Sequence, residues 1–129
     1  VSDYLLDTNV LIRCLRRIPR SVALLQELRT HSELYISVLS RLEVLARMWP
    51  HEEQITLQLL SSLSSLPVGQ ETAESAGRLV FQQARRGLAL NVPDAIIAAT
   101  AMRHELILVS YDTHYFAQIP DLQFLEPNA

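Results

Sequence analysis

The chain has 129 residues, 49% of them hydrophobic and 19% charged; one globular domain spanning residues 1–129 with an ordinary buried core is expected, and a multidomain chain is excluded. Acids (14) exceed bases (11) for a formal net charge of −3, which excludes the uniformly positive surface of an unselective nucleic-acid binder, so a polyanion would have to be held locally. All 11 bases are Arg, which excludes a Schiff-base enzyme, a P-loop and any phosphoryl transfer that relies on Lys.

Tyr4-Leu5-Leu6 reads as a short buried strand ending at Asp7-Thr8-Asn9, after which Leu11, Cys14, Leu15 and Ile18 recur at helical spacing until Pro19. Arg13, Arg16 and Arg17 fall on the opposite face of that helix and form a local basic patch, either a solvated face or a phosphate contact. A second helix is predicted from near Ser21 to about Thr30, followed by a strand at Leu34-Tyr35-Ile36 that Ser37 ends. The next helix places Val38, Leu42, Leu45 and Trp49 on its apolar face and closes at Pro50. From His51 onward Ile55, Leu59, Leu63 and Leu66 repeat at intervals of three or four, a stripe that is either core or a dimer surface. Leu66-Pro67-Val68 is a candidate edge strand, since Pro cannot donate to a ladder.

Another helix is predicted from Gln70 to Arg86, with Gly87 as its C-terminal cap. Asn91 is the N-cap of a helix with Pro93 in its first turn, continuing through small residues to about His104. Leu106 to Val109 is the most hydrophobic strand candidate, and Leu122 to Leu125 a last one. Strands alternating with helices predict an α/β fold with a parallel sheet covered on both faces. The only cysteine, Cys14, rules out a disulfide framework and a Cys-rich zinc site, and its apolar surroundings read as packing. Asp3 and Asp7 precede any long apolar run, and the uncharged stretch Gln54 to Gln70 is too polar for a membrane span. A cytoplasmic protein without a membrane partner is expected.

The five Asp residues, at 3, 7, 94, 112 and 121, are unevenly informative. Asp7 ends the first strand, Asp112 follows the fourth after Ser110 and Tyr111, and Asp94 opens the helix before that strand. Ligands of open parallel sheets gather at the carboxyl ends of the strands. Glu43 joins them as a candidate, lying about 40° from Leu39 at the edge of the apolar stripe of its helix. Each acid also has a local explanation: Asp7 as a helix cap, Asp94 in a capping box, Asp112 in a turn, Glu43 paired with Arg47.

Carboxylates that converge stay ionised together only beside a cation, and oxygen-only donors select Mg2+ or Mn2+ over zinc. One or two such ions would lower the pKa of a bound water and stabilise in-line attack on a phosphodiester. Thr8, Asn9 and Ser40 are placed to orient the ligands.

The blocks Leu5-Leu6-Asp7-Thr8-Asn9-Val10-Leu11-Ile12, Ser40-Arg41-Leu42-Glu43, Asp94-Ala95-Ile96-Ile97-Ala98-Ala99-Thr100-Ala101 and Ser110-Tyr111-Asp112 before His114-Tyr115-Phe116 resemble, in order and spacing over nearly the whole chain, those of PIN-domain nucleases, specifically VapC-type toxins of bacterial toxin–antitoxin pairs. The resemblance implies a three-layer fold with a five-stranded parallel sheet. It implies that Asp7, Glu43, Asp94 and Asp112 form a catalytic, metal-holding cluster, with Thr8 as a hydrogen-bonding neighbour. The implied activity is a Mg2+- or Mn2+-dependent endoribonuclease that cuts tRNA or rRNA, leaves 5′-phosphate and 3′-hydroxyl ends, and so inhibits translation. It also implies a homodimer and an antitoxin partner covering the catalytic groove, with DNA met only through that partner. The last block begins with Ser110 where relatives often carry Thr, which keeps the hydroxyl.

Two other readings use the same acids. An aspartyl phosphotransferase or phosphatase would use Asp7 as phosphoryl acceptor with Mg2+, but those enzymes rely on a Lys, and the phosphatases on an Asp where this chain has Asn9. A non-catalytic PIN-like scaffold would bind RNA or protein without cutting and would have no reason to bind Mn2+ tightly. His114, two residues after Asp112, reads as a loop residue unless it reaches a phosphate; His31, His51 and His104 belong to no motif.

Overall fold

β1 (Tyr4–Leu6) is the middle strand of a five-stranded sheet in a computed structural model that describes residues 3–127. With β2 (Leu34–Ser37), β3 (Ser64–Leu66), β4 (Ile107–Val109) and β5 (Phe124–Leu125) it forms the order β3-β2-β1-β4-β5, and every adjacent pair is parallel. The chain builds outward from β1 to β3 on one side and then returns to add β4 and β5 on the other. The strand order therefore reverses between β1 and β4, the place where an open parallel sheet leaves a crevice at its carboxyl edge.

Alternating side chains serve the two faces, as the period of a strand requires. Leu5 and Leu108 face one core cluster with Ala95, Ala98 and Phe116, while Leu6, Ile36 and Val109 face another with Val10, Leu25 and Leu60. The first cluster is covered by α5 (Gln70–Arg85) and α6 (Val92–Arg103), the second by α1 (Thr8–Leu15), α2 (Pro19–Arg29) and α4 (Glu53–Ser61), giving the three expected layers. Ala95, Ile97, Ala98, Ala99 and Ala101 of α6 are all buried. Small residues let this helix sit between α5 and the sheet, which is why its sequence has no polar stripe.

Local chemistry accounts for the helix ends. Asn91 caps α6 by accepting from Asp94 N at 2.8 Å, and Gly87 takes φ 76 after α5, the left-handed conformation that ends helices. Pro19 both interrupts the first apolar repeat and supplies the first residue of α2. α1 is shorter than its repeat predicts, stopping at Leu15, because Arg17 turns left-handed at φ 58. β3 lies two residues earlier than expected, at Ser64–Leu66, with Pro67 just outside the ladder. α7 (Thr113–Phe116) is a single short turn that buries Phe116.

One predicted face is turned largely outward: of Val38, Leu42, Leu45 and Trp49 only Leu45 packs against the core, and it is partly buried. In α3 (Val38–Arg47) the buried residues are Ser40 and Val44, whereas Val38 is 40% and Leu42 62% exposed. Trp49 lies beyond the helix, half exposed, next to a 3₁₀ turn at Pro50–Glu52. Contacts of Ser40 and Glu43 with Thr8 set the rotation of α3, and the apolar residues one position along are carried to solvent. The stripe of Ile55, Leu59, Leu63 and Leu66 also divides: Leu63 is core, Leu59 and Leu66 are partly buried against it, and Ile55 is exposed. No described helix is long and apolar enough to cross a membrane.

Candidate active site

Leu6 pairs with Val109, so the residues that follow them, Asp7 and Ser110, leave the sheet side by side at the point where strand order reverses. Asp7 N donates to Val109 O at 2.9 Å, which holds the two chain exits together. The Asp7 side chain is only 7% exposed. Its Oδ1 accepts from Thr8 N at 2.8 Å, capping α1, and its Oδ2 accepts from Ser110 Oγ at 2.7 Å. One carboxylate thus caps α1 and ties it to the end of β4.

Ser110 Oγ is the hub of the β4 side. It spends its one proton on Asp7 and accepts from Asp112 N at 3.0 Å and Asn9 Nδ2 at 3.2 Å, which uses both lone pairs. Asn9 Oδ1 in turn accepts from Tyr111 N at 3.3 Å. The loop after β4, which carries Asp112, is therefore tied to the first turn of α1 at three points.

On the β2 side Thr8 Oγ1 lies 2.6 Å from Glu43 Oε1 and 3.0 Å from Ser40 Oγ. A hydroxyl has one proton and a carboxylate has none, so Thr8 gives its proton to Glu43 and the Ser40 contact uses the Ser40 hydrogen. Thr8 and Ser40 are both buried, and Glu43 is half-buried with Arg47 4.0 Å away. Asp94 reaches the same edge because α6 runs antiparallel to the strands and its N-terminus lies at their carboxyl ends. Asn91 grips it twice, accepting from its backbone N and donating from Nδ2 to Oδ2 at 3.0 Å. Sequence reasoning found Asn91 as a helix cap and missed this second role; an acid three residues after an Asn cap was the available signal.

Electrostatics shows that the four acids share one neighbourhood. Burial pushes the Asp94 carboxyl up to about 6, and the charges of Asp7, Asp112 and Glu43 add to the rise against the opposing Asn91 hydrogen bond. Burial likewise raises Asp7 above the usual carboxylate range, with Glu43 and Asp112 contributing, while the bonds from Ser110 and Thr8 pull it back. Among the described residues, Arg47 beside Glu43 is the only ion pair any of the four makes. No three described acids, imidazoles or thiols stand at metal-ligand spacing; the carboxylates share a field without sharing one coordination sphere. The donors are oxygen throughout, which is the chemistry of a hard divalent ion and not of zinc.

The three arginines read as one patch separate in the fold. Arg16 donates to both carboxylate oxygens of Glu52, at 2.8 and 2.7 Å, and lies 3.9 Å above the Trp49 ring. Its charge is paired with that of a residue only 5% exposed. Glu52 also accepts from Trp49 N at 2.7 Å, and this bond first, then Arg16, holds its carboxyl below the usual range. Arg13 lies over Tyr111, 3.7 Å from the ring centre, and Arg17 is exposed. His114 is exposed and packs edge-on to Tyr115, 4.9 Å between ring centres. Cys14 donates to Ser21 O at 3.3 Å and burial pushes its thiol up to about 11, so it packs and is unreactive.

A family model described as PIN domain matches residues 4–122, nearly the whole of this carboxylate-bearing fold. The chain belongs to the PIN domain family. Among its relatives, Ribonuclease VapC19 of Mycobacterium tuberculosis is 31% identical over 122 residues, covering 92% of this chain and 96% of that one. A toxin–antitoxin complex from Klebsiella pneumoniae contains a chain similar at TM-score 0.80 and 30% identity over 98% of both chains. VapBC2 from Rickettsia felis, solved with a DNA fragment from its promoter, matches the fold at TM-score 0.84 and 22% identity over 97% of this chain and 98% of that one. This PIN domain therefore groups with the VapC ribonucleases of toxin–antitoxin pairs.

Proposed function

We propose that this PIN domain is the toxin of a toxin–antitoxin pair and a Mg2+- or Mn2+-dependent endoribonuclease acting in the cytoplasm on tRNA or rRNA. The observation that carries the reading is the gathering of Asp7, Glu43, Asp94 and Asp112 at the reversal point of the sheet, where burial and the neighbouring carboxylates raise the Asp7 and Asp94 carboxyls and, among the described residues, the one ion pair is that of Glu43 with Arg47. Such repulsion is costly to keep unless a cation relieves it. Asp7, Glu43, Asp94 and Asp112 would hold one or two ions, which when bound supply an activated water and neutralise the phosphate oxygens, leaving 5′-phosphate and 3′-hydroxyl ends. Thr8, Ser40, Asn91 and Ser110 keep the carboxylates oriented, and Asn9 ties the Asp112 loop in place.

The partner reading rests on the Klebsiella toxin–antitoxin likeness and on an apolar surface groove. An apolar groove of about 590 Å³ runs between α1, α2 and α4, lined by Leu15, Val22, Leu25, Ile55 and Leu59 with Arg29 at its rim. It offers a seat for an amphipathic segment of an antitoxin carrying acidic flanks, the rest of which would cover the carboxylates. Homodimer formation is part of the same proposal, and DNA contact is assigned to the antitoxin.

The test is cleavage of total tRNA and rRNA fragments by the parent and Asp94→Asn proteins in Mg2+, Mn2+ and EDTA, with product ends mapped. Metal-dependent cuts made by the parent alone support the proposal. A folded parent that neither cuts nor binds Mn2+ would instead be a scaffold.

A further inference from the structure

Tyr111 separates two site residues, Ser110 and Asp112, yet neither the acids nor their supports account for how firmly it is held. Its backbone N donates to Asn9 Oδ1, and its hydroxyl lies 2.7 Å from the Oγ of Ser21, a completely buried residue of α2. The ring so fixed carries the Arg13 guanidinium, centred 3.7 Å from the ring centroid. Arg13 forms no salt bridge among the described residues, although it is half-buried and shares α1 with Thr8. A guanidinium stacked on a ring has one face covered and its in-plane N–H fork still open, in an orientation whose entropy has largely been spent in folding. That fork matches a phosphate bidentately.

Position narrows the anion further. Arg13 is six residues along α1 from Asp7, about 9 Å on the helix axis, and its platform is contiguous with Asp112. A phosphate on Arg13 is therefore a neighbour of the one among the carboxylates, on the same strand. We propose that Arg13, presented by Tyr111 and braced through Ser21, is a substrate-binding residue that takes a backbone phosphate flanking the scissile one. Arg16 has no such part, since Glu52 already neutralises it. This inference rests on the nuclease reading and assigns one strand-positioning contact within it.

The experiment uses the Asp94→Asn protein, which should bind RNA without cutting it, and total tRNA as probe, measured over a series of salt concentrations. Arg13→Gln should weaken binding several-fold and lower the slope of log K against log salt by about 0.7 to 0.9, the loss of one phosphate contact. Arg13→Lys should retain the slope with weaker binding, since it keeps the charge and loses the fork. Tyr111→Phe keeps the platform ring but loses the Ser21 brace and should bind less tightly than the parent with the slope retained; Tyr111→Leu should fall toward Arg13→Gln. Arg16→Gln should leave the slope unchanged. Circular dichroism confirms that each variant is folded. An unchanged slope in folded Arg13→Gln overturns this assignment while leaving the nuclease reading intact, provided the parent still cuts. A parent that binds no RNA overturns both.

Discussion

The Ser110 hydroxyl donates to Asp7 Oδ2 at 2.7 Å, joining residues 103 positions apart in the chain. Neither residue could be placed by its own neighbours: Asp7 has a local role as the cap of α1, and Ser110 is one residue past a strand. The parallel pairing of β1 with β4 makes them adjacent, and the bond then fixes the carboxylate on which the rest of the cluster acts.

Ser110→Ala removes a donor from Asp7 and the acceptor used by both Asn9 and Asp112 N. The Asp7 carboxyl should rise further, because the bond that lowers it is gone. Mn2+ affinity should fall about 10- to 100-fold and stability by about 1 to 3 kcal/mol, while Ser110→Thr should restore both. Calorimetric titration with Mn2+ measures the first and urea unfolding the second; equal Mn2+ affinity in the Ala variant would leave Ser110 with no supporting role.

Asp94→Asn should abolish cleavage and stabilise the metal-free protein. The folded carboxyl is held at about 6, above the 3.8 of an unperturbed Asp, so the ionised group is a penalty to the fold above pH 6 and the penalty disappears as pH falls toward 4. Its upper limit is about 3 kcal/mol, and exposure to water cuts this to about 1. In EDTA the variant should melt a few degrees above the parent at pH 7.5 and level with it near pH 4. A lower Tm at pH 7.5 would contradict the mutual repulsion.

Glu52 runs in the opposite sense. The Trp49 N–H and Arg16 hold its folded carboxyl below the 4.5 of a free Glu. Its contribution to stability is therefore complete above pH 4.5 and is lost as pH falls through the lower folded value. Glu52→Gln should lower Tm at pH 7, with the difference from the parent closing below pH 4. Arg16→Met should cost more than Glu52→Gln at pH 7, because it leaves the buried carboxylate without its cation. Melting curves across pH 3 to 8 distinguish these outcomes.

The rotation of α3 can be tested through its stability. Leu42 is 62% exposed and Val44 is fully buried, so Leu42→Gln should change stability by less than about 0.5 kcal/mol and Val44→Ala should cost about 1 to 3 kcal/mol. Urea unfolding compares the two, and light scattering reports whether Leu42→Gln alters the oligomeric state. A large cost at Leu42 in a protein that stays monomeric would place that face against the core.

Much of the fold was legible because its signals are local. Tyr4-Leu5-Leu6, the capping of α6 by Asn91, the stop at Gly87 and the alternation of strands with helices each depend on residues within one turn or strand of each other. The acids were legible as a set because strand ends and helix starts are local features, and the topology of a parallel sheet sends both to the same edge. The errors have the same origin. The face of α3 was misread because its rotation is set by Thr8, thirty-five positions from Glu43 and thirty-two from Ser40. The pairing of Arg16 was not legible because Glu52 is thirty-six positions away.

By itself the sequence determined the residue types: a Lys-free chain with oxygen donors at strand ends, and hence the family and the chemistry open to it. Only the tertiary structure decided which hydroxyl serves which carboxylate, that Arg16 pairs with Glu52 while Arg13 stacks on Tyr111, and which apolar residues face water. Hydrogen bonds and ion pairs act within about 4 Å, and the chain segments that supply them meet only when the sheet brings its strands into register.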